Sequence, residues 1–171
     1  MDSIFGESKR LIFRKMSFKD FNEISLIMRS KSVQKIWEHY FTDGDIQNWI
    51  EKNIELYKQH NLGYFIAVEK HSNKIAGQIA LMPDTINGKM FYEIGYILKE
   101  EFMKRGFATE GAKFMADYAF NKLKLKEVIF EIRPINIKSI AVVKRLGAIK
   151  SGSFIKNVKG KDMEHFIFVL K

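Results

Sequence analysis

Apolar and polar positions along this chain switch repeatedly between a strand-like and a helical period. Residues 10–15, RLIFRK, read as a first short strand. Ser17 and Asp20 then supply start signals for a helix carrying Phe21, Ile24 and Ile27 or Met28 on one face. A second helix is expected over about residues 45–59, where Ile46, Trp49, Ile50, Ile54 and Tyr57 recur at helical spacing with Asp43 or Asp45 near the start. Three strands follow, over residues 64–69, 75–82 and 90–98, separated by the turn-forming HSNK and PDTING. Connections this short favour an antiparallel meander. An amphipathic helix over about residues 109–123 turns Ala112, Met115, Ala116, Ala119, Phe120 and Leu123 inward. A strand over residues 128–133 comes next, then a helix over about 137–146 that stops at Gly147. Two late strands, about 148–156 and 163–170, flank Lys159-Gly160-Lys161. The order β-α-α-β-β-β-α-β-α-β-β predicts an α/β fold with a mixed, mostly antiparallel sheet flanked by helices. No internal repeat of useful length suggests a solenoid or propeller.

Composition narrows the class without naming an activity. With 171 residues, 46% of them hydrophobic and only 2 prolines, one globular domain spanning residues 1–171 is expected. No run approaches the roughly 20 apolar residues of a membrane span, and MDSIFGESKR lacks an apolar signal core, so a cytoplasmic protein with no membrane partner is expected. The absence of cysteine excludes disulfides, Cys-ligated metal and a thiol nucleophile. Lys and Arg (29) exceed Asp and Glu (20), an excess that draws phosphates on nucleic acid, lipid or a cofactor. The basic residues are dispersed and no recognition helix or aromatic-basic stacking motif accompanies them, so nucleic acid is not the expected partner.

The chemistry concentrates in residues 92–110, YEIGYILKEEFMKRGFATE, where a strand leads through a charged loop into Gly106-Phe107-Ala108-Thr109 and a helix. Unpaired amides and the positive end of the dipole make a helix amino terminus an anion site. Gly106 and the small Ala108 let a phosphate approach the backbone, and Lys104 and Arg105 add charge beside it. Gly106-x-Ala108-x-x-Gly111 also resembles a degenerate dinucleotide fingerprint. Against that alternative, seven residues, 99–105, separate strand from turn, and the first 90 residues would need another purpose. No G-x-x-x-x-G-K-S/T occurs, which removes the phosphate loop of nucleotide hydrolases.

EIGYILKEEFMKRGFATEGAKFMADYAF, followed by RPINIKSIAVVKRLGA, resembles the GCN5-related N-acetyltransferases, in particular their ribosomal-protein alanine branch, whose opening strand KRLIFR resembles. The family's pyrophosphate loop, Gln/Arg-x-x-Gly-x-Gly/Ala, matches residues 103–108, with Met103 departing at the first position. The resemblance implies acetyl-CoA as cosubstrate, no metal, and a primary amine as acceptor: a peptide N-terminus, a polyamine or another small amine. It implies that Ile97 and Leu98 pair with the pantetheine arm, that Lys104, Arg105, Gly106, Phe107, Ala108 and Thr109 hold the pyrophosphate, and that Asn136 and Ser139 contact the coenzyme near its thiol. Asn136 and Ser139 could equally be a helix cap and a first-turn residue.

Direct attack in a ternary complex, the family's usual scheme, implies a base, for which Glu93 is the candidate, and a proton donor for the thiolate. The matching position for the family's tyrosine holds Val143, which leaves that role vacant or passes it to Ser139. The segment 30–45, with Trp37, His39, Tyr40 and Phe41, is expected to wall the acceptor site. An edge-strand homodimer would suit this fold. Two other readings remain at this level: a coenzyme-binding regulatory module without catalysis, and an NAD-binding protein.

Overall fold

The computed structural model describes residues 3–171, which form one eight-stranded sheet with the order β1-β2-β3-β4-β5-β6-β8-β7. The strands are β1 (Ile4–Glu7), β2 (Leu11–Lys15), β3 (Gly63–Glu69), β4 (Lys74–Ile86), β5 (Lys89–Leu98), β6 (Val128–Ile132), β7 (Ile149–Val158) and β8 (Lys161–Leu170). The helices are α1 (Phe21–Met28), α2 (Lys31–Trp37), α3 (Asp43–His60), α4 (Phe107–Asn121) and α5 (Ile137–Arg145). All neighbouring strands pair antiparallel except β5 and β6. The expected α/β architecture with a mixed, mostly antiparallel sheet is therefore the observed one.

Three local features depart from the sequence pattern. Strand β1 precedes the expected first strand, pairing Gly6 with Phe13 and Glu7 with Ile12; at four residues it carries too little alternation to be read in advance. Helix α2 is also additional: the Ser30 side chain caps Val33 N–H at 3.4 Å, and only Val33 of its seven residues is buried, so no apolar stripe announces it. The third correction concerns PDTING. Pro83–Ile86 continues the strand, and the reversal is confined to Asn87 and Gly88, both at positive φ (48° and 78°), the backbone of a two-residue hairpin turn. Proline is tolerated there because β3 stops pairing at Gly63↔Leu81, so Pro83 owes a ladder hydrogen bond on one side only.

The sheet has a different covering on each face. Cross-strand partners project to the same side, which places Tyr64, Ala80 and Gly95 in one row and Met82 with Glu93 in the next. Helix α3 lies over this face, where Trp49 Nε1 donates to Gln78 Oε1 at 2.8 Å. Helix α4 packs on the other face so closely that a Cβ at Gly111 would come within 2.8 Å of Ile79 Cδ1. The core between these layers is built on Phe13, Phe65, Phe107 and Phe130, all fully buried. Among the described residues, no helix is long and apolar enough to cross a membrane.

Candidate active site

The single parallel pair is where the site opens. Strands β5 and β6 are in register only at Glu93↔Ile129, and past that point Gly95–Leu98 pairs with β4 alone. The edge of β5 that faces away from β4 thus has free backbone N–H and C=O groups, a template for an extended arm. Two cavities open along this splay.

The first, about 670 Å³, runs from Ile97 and Leu98 past Lys104 and Gly106–Thr109 to Asn136 and Ser139 on α5. Gly106 is the N-cap of α4 at φ +81°, and it supplies no side-chain cap. The N–H groups of Phe107, Ala108 and Thr109 accordingly lack intrahelical acceptors. Beside them Thr109 Oγ1 is buried without a partner among the described residues. Lys104 also adopts positive φ (59°), so the turn bends sharply twice. Glu110 anchors it from behind: its carboxylate accepts from Ser8 Oγ (2.7 Å), Arg10 N (2.6 Å) and Arg10 Nε (2.6 Å). Arg10 Nη1 donates in turn to Arg105 O at 2.9 Å, and its guanidinium lies 4.3 Å from the Phe107 ring centroid.

Arg105 does not face this cavity. Its guanidinium donates to Glu69 Oε1 at 2.8 Å and stacks over Phe102 and Phe107, so only its backbone belongs to the turn. Cationic residues that do line the cavity are Lys35, Lys104, Lys138 and Arg145. Of these, Lys138 and Arg145 escaped the motif-based reading because they lie on α5, outside the loop. Asn136 acts as a helix cap, its Oδ1 accepting from Ser139 N at 3.3 Å, and it also borders the cavity. Tyr96 reaches under α5 to donate its hydroxyl to Ser139 O at 2.9 Å. Val143 is fully buried core.

The second cavity, about 450 Å³, lies on the α3 side of the splay. It shares Ile36, Trp37, Tyr96, Ile97, Asn136 and Ser139 with the first, so the two meet at the end of β5. Its wall is aromatic: Trp37 and Trp49 lie 6.1 Å apart by ring centroid, and Trp49 and Tyr64 4.9 Å. Of the other aromatics expected there, Phe41 is buried against Trp37 and His39, Tyr40 is exposed, and His39 pairs with Asp45 at 2.9 Å. His165 borders the cavity, and burial, with help from Lys156 and Arg133, pulls its imidazole below the usual range.

Glu93 projects into this second cavity in company with two other carboxyls. Asp84, Glu93 and Glu131 offer oxygens within 4.8 Å of one another. Lys156 Nζ sits 2.6 Å from Glu131 Oε2 and 3.3 Å from Asp84 Oδ2, a built-in counter-ion. Burial, reinforced by the Glu131 charge, pushes the Glu93 carboxyl well above the ordinary carboxylate range. Burial likewise lifts Glu131 to about 7 against the pull of Lys156. At Asp84 burial opposes ionisation too, but the hydrogen bond with Glu131 and the Lys156 ammonium outweigh it and hold the group below its usual range. Burial lowers Lys156, yet Glu93, Glu131 and Asp84 more than compensate and keep it charged. Asp84 was hidden in the sequence because PDTING reads as a turn. Glu131 and Lys156 come from β6 and β7, distant in sequence from β5.

The sequence and the fold have counterparts among known proteins. A family model for the acetyltransferase (GNAT) domain matches residues 10–149. An uncharacterized N-acetyltransferase of Bacillus subtilis, YnaD, is 29% identical over 168 residues, covering 96% of this chain and 95% of that protein. A ribosomal-protein-S5-alanine acetyltransferase from Vibrio fischeri superposes with a TM-score of 0.74 at 24% identity, over 99% of this chain and 96% of that one. A spermidine N-acetyltransferase from Vibrio cholerae, solved with CoA and spermine, superposes with a TM-score of 0.73 at 16% identity, over 94% and 95%. The structural likenesses speak for the fold; with the family match over most of the chain, they identify this protein as a member of the GNAT acetyltransferases.

Proposed function

We propose that this protein transfers the acetyl group of acetyl-CoA to a primary amine by direct attack, with the coenzyme along the first cavity and the acceptor in the second. The observation that carries this reading is the shared mouth: a groove with phosphate-binding chemistry and a cavity with a buried carboxyl cluster meet at Ile97 and Ser139. The first cavity's donors fit the coenzyme. The open amides of Phe107–Thr109 and the orphaned Thr109 hydroxyl suit a pyrophosphate, Lys104, Lys138 and Arg145 suit phosphate charge, and the free edge of β5 at Ile97 and Leu98 suits the amides of the pantetheine arm. When bound, the coenzyme supplies the activated acetyl group.

The chain's own residues then have three tasks. An amine is protonated at neutral pH and must lose that proton before it attacks, and Glu93, buried and raised in pKa, takes it directly or through a water. The raised value is what a base needs, because a carboxylate of ordinary acidity is too weak to hold the proton. A backbone N–H near Leu98 steadies the carbonyl oxygen as it gains charge. Ser139, on the first turn of α5 with its backbone N–H held by Asn136 and its carbonyl by Tyr96, returns a proton from its hydroxyl to the departing sulfur and regains one from solvent. With no cysteine in the chain, no thiol acyl-enzyme intervenes. The likeness to both a spermidine and a ribosomal-protein acetyltransferase leaves the acceptor to be read from the cavity, since one fold serves both.

The test is calorimetric titration of acetyl-CoA into the protein and into Gly106→Asp, followed by thiol-release assays with a panel of amines. Binding by the natural protein, lost in the variant, and acetyl-CoA consumption that depends on an amine are expected. Binding without transfer to any amine would instead favour a coenzyme-binding module, and no binding at all would overturn the reading.

A further inference from the structure

The second cavity carries more negative charge than a single acceptor amine requires. Three carboxyls, Asp84, Glu93 and Glu131, face one ammonium, Lys156. The other cations bordering the cavity are committed elsewhere or exposed. Lys159 pairs with Asp45 at 2.7 Å, Arg133 donates through Nη1 to Ile36 O at 2.5 Å and lies 3.6 Å from Glu38, its Nε buried with no partner among the described residues, and Lys52 is exposed on α3. Glu131 is the second observation: its side chain is only 3% exposed, and its Oε1 is buried with no hydrogen-bond partner among the described residues. Glu93, 8% exposed, receives no N–H donor among the described residues and has the Asp84 carboxyl beside it. Asp84 also accepts from Thr85 N at 2.7 Å, but Glu93 without a donor and the orphaned Glu131 oxygen are costly to bury as anions, so this end of the cavity is short of positive charge.

The remaining lining says what shape the missing cation has. Between the acid cluster and the shared mouth the wall is Trp37, Trp49, Tyr64, Met82 and Ile97, apolar and aromatic surface suited to a methylene chain and to a cation over a ring face. A peptide would bring backbone amides that need partners. The three asparagines that border the cavity already spend a side-chain oxygen on the chain's own backbone: Asn53 on Tyr64 N, Asn136 on Ser139 N and Asn157 on Gly160 N.

We propose that the Asp84–Glu93–Glu131 cluster binds the second positive charge of the acceptor, which is a linear aliphatic diamine or polyamine. This rests on the acetyl-transfer reading of the cavity and adds the acceptor class to it. The ammonium at the mouth passes its proton through water to the cluster, where Glu93 takes it, and is acetylated; the other sits at the cluster and replaces the protons that the crowded carboxyls hold in the free protein. Binding a diamine therefore releases protons, whereas binding a monoamine of the same length does so less.

Two measurements test this. In steady-state assays with acetyl-CoA, putrescine should exceed its methyl-terminated counterpart n-pentylamine in kcat/KM by about tenfold or more, the ratio equivalent to ~1.4 kcal/mol. Glu131→Gln and, separately, Asp84→Asn should cut that preference to about threefold or less, two variants guarding against misfolding of either, with circular dichroism as the check. Calorimetry of putrescine into the protein, in buffers of different ionisation enthalpy, should show proton release that Glu131→Gln diminishes. Equal rates for putrescine and n-pentylamine, a preference that survives both variants, a higher kcat/KM for alanyl-lysine amide than for putrescine, or displacement of putrescine by Mn²⁺ alone would each overturn the proposal. Acetylation of n-pentylamine without diamine preference sinks this inference and leaves the transferase reading standing. Proton-linked putrescine binding without acetylation of any amine does the reverse.

Discussion

Lys156→Met removes the one ammonium that faces three clustered carboxyls, and its consequence should depend steeply on pH. Lys156 Nζ lies 2.6 Å from Glu131 Oε2 and 3.3 Å from Asp84 Oδ2, while the Glu131 side chain is only 3% exposed. Stranding a buried charge by removing its partner typically costs 3–5 kcal/mol. Lys156 is 40% exposed, so solvent screening reduces that, and about 2 kcal/mol is expected where the carboxyls are ionised. They need not be ionised at every pH. Glu93 is raised well above the ordinary carboxylate range and Glu131 to about 7 with Lys156 present, and the variant raises both further.

The sign follows from proton binding. Between the unfolded value near 4.5 and the raised folded value, the native state holds more protons than the unfolded one, so stability falls as pH rises. At pH 5 Glu93 and Glu131 are protonated in the folded state, so only the partly exposed Asp84 loses a counter-ion, and methionine, similar in size, fills the lysine stem's place. The penalty of Lys156→Met should thus be small at pH 5 and reach about 2 kcal/mol at pH 9, a fall in Tm of roughly 4–8 °C for a chain of this size. Urea unfolding of both proteins at the two pH values measures it. A penalty equal at pH 5 and pH 9 would show that Lys156 does not neutralise the cluster, and the electrostatic argument for the cavity would fail with it.

Gly95→Ala places a Cβ 2.4 Å from Tyr64 Oη, which must move the wall of the acceptor cavity. A loss of about 1–3 kcal/mol is expected by urea unfolding, with KM for the amine rising more than KM for acetyl-CoA. Tyr57→Phe deletes a buried hydroxyl that donates to Tyr64 O and accepts from Met16 N, leaving two main-chain groups unpaired. About 2–4 kcal/mol of stability should be lost in thermal melts, with little change in the pH dependence of activity. For the natural protein, kcat/KM should rise with pH through the raised Glu93 and Glu131 titrations, and Glu131→Gln, which removes a like charge, should move that limb to lower pH. A limb unmoved by the substitution would separate Glu93 from its neighbours and point to a different base.

Much of the architecture was legible before any coordinates, because local patterns report it. Helical spacing from Ile46 to Tyr57, the strand-loop-helix passage around Gly106 and the order of elements all depend on neighbours within a few turns of chain. So does the anion-binding character of the turn at residues 103–109, whose glycine and uncapped helix start are adjacent in sequence. Short elements were not legible: β1 and α2 bury too few side chains to impose a period. The turn at Asn87-Gly88 was placed too early because Pro83 and Asp84 look like turn residues, although their outer edge is merely unpaired.

What only the tertiary structure decided is which of the charged residues meet. Glu93 was a candidate whose direction depended on register, and the pairing Met82↔Glu93 turns it to the α3 face. Asp84, Glu131 and Lys156 join it from β4, β6 and β7, separated by up to 72 residues, and no spacing rule links them. Arg105, adjacent to the phosphate turn in sequence, is drawn off by Glu69 from β3, while Lys138 and Arg145 arrive on α5. A sequence encodes hydrophobic period and turn chemistry residue by residue, so the chain by itself determined the elements and the anion-binding turn. Burial and pairing of charges depend on strands that come together only when the sheet closes, so the second cavity and its carboxyl cluster belong to the fold.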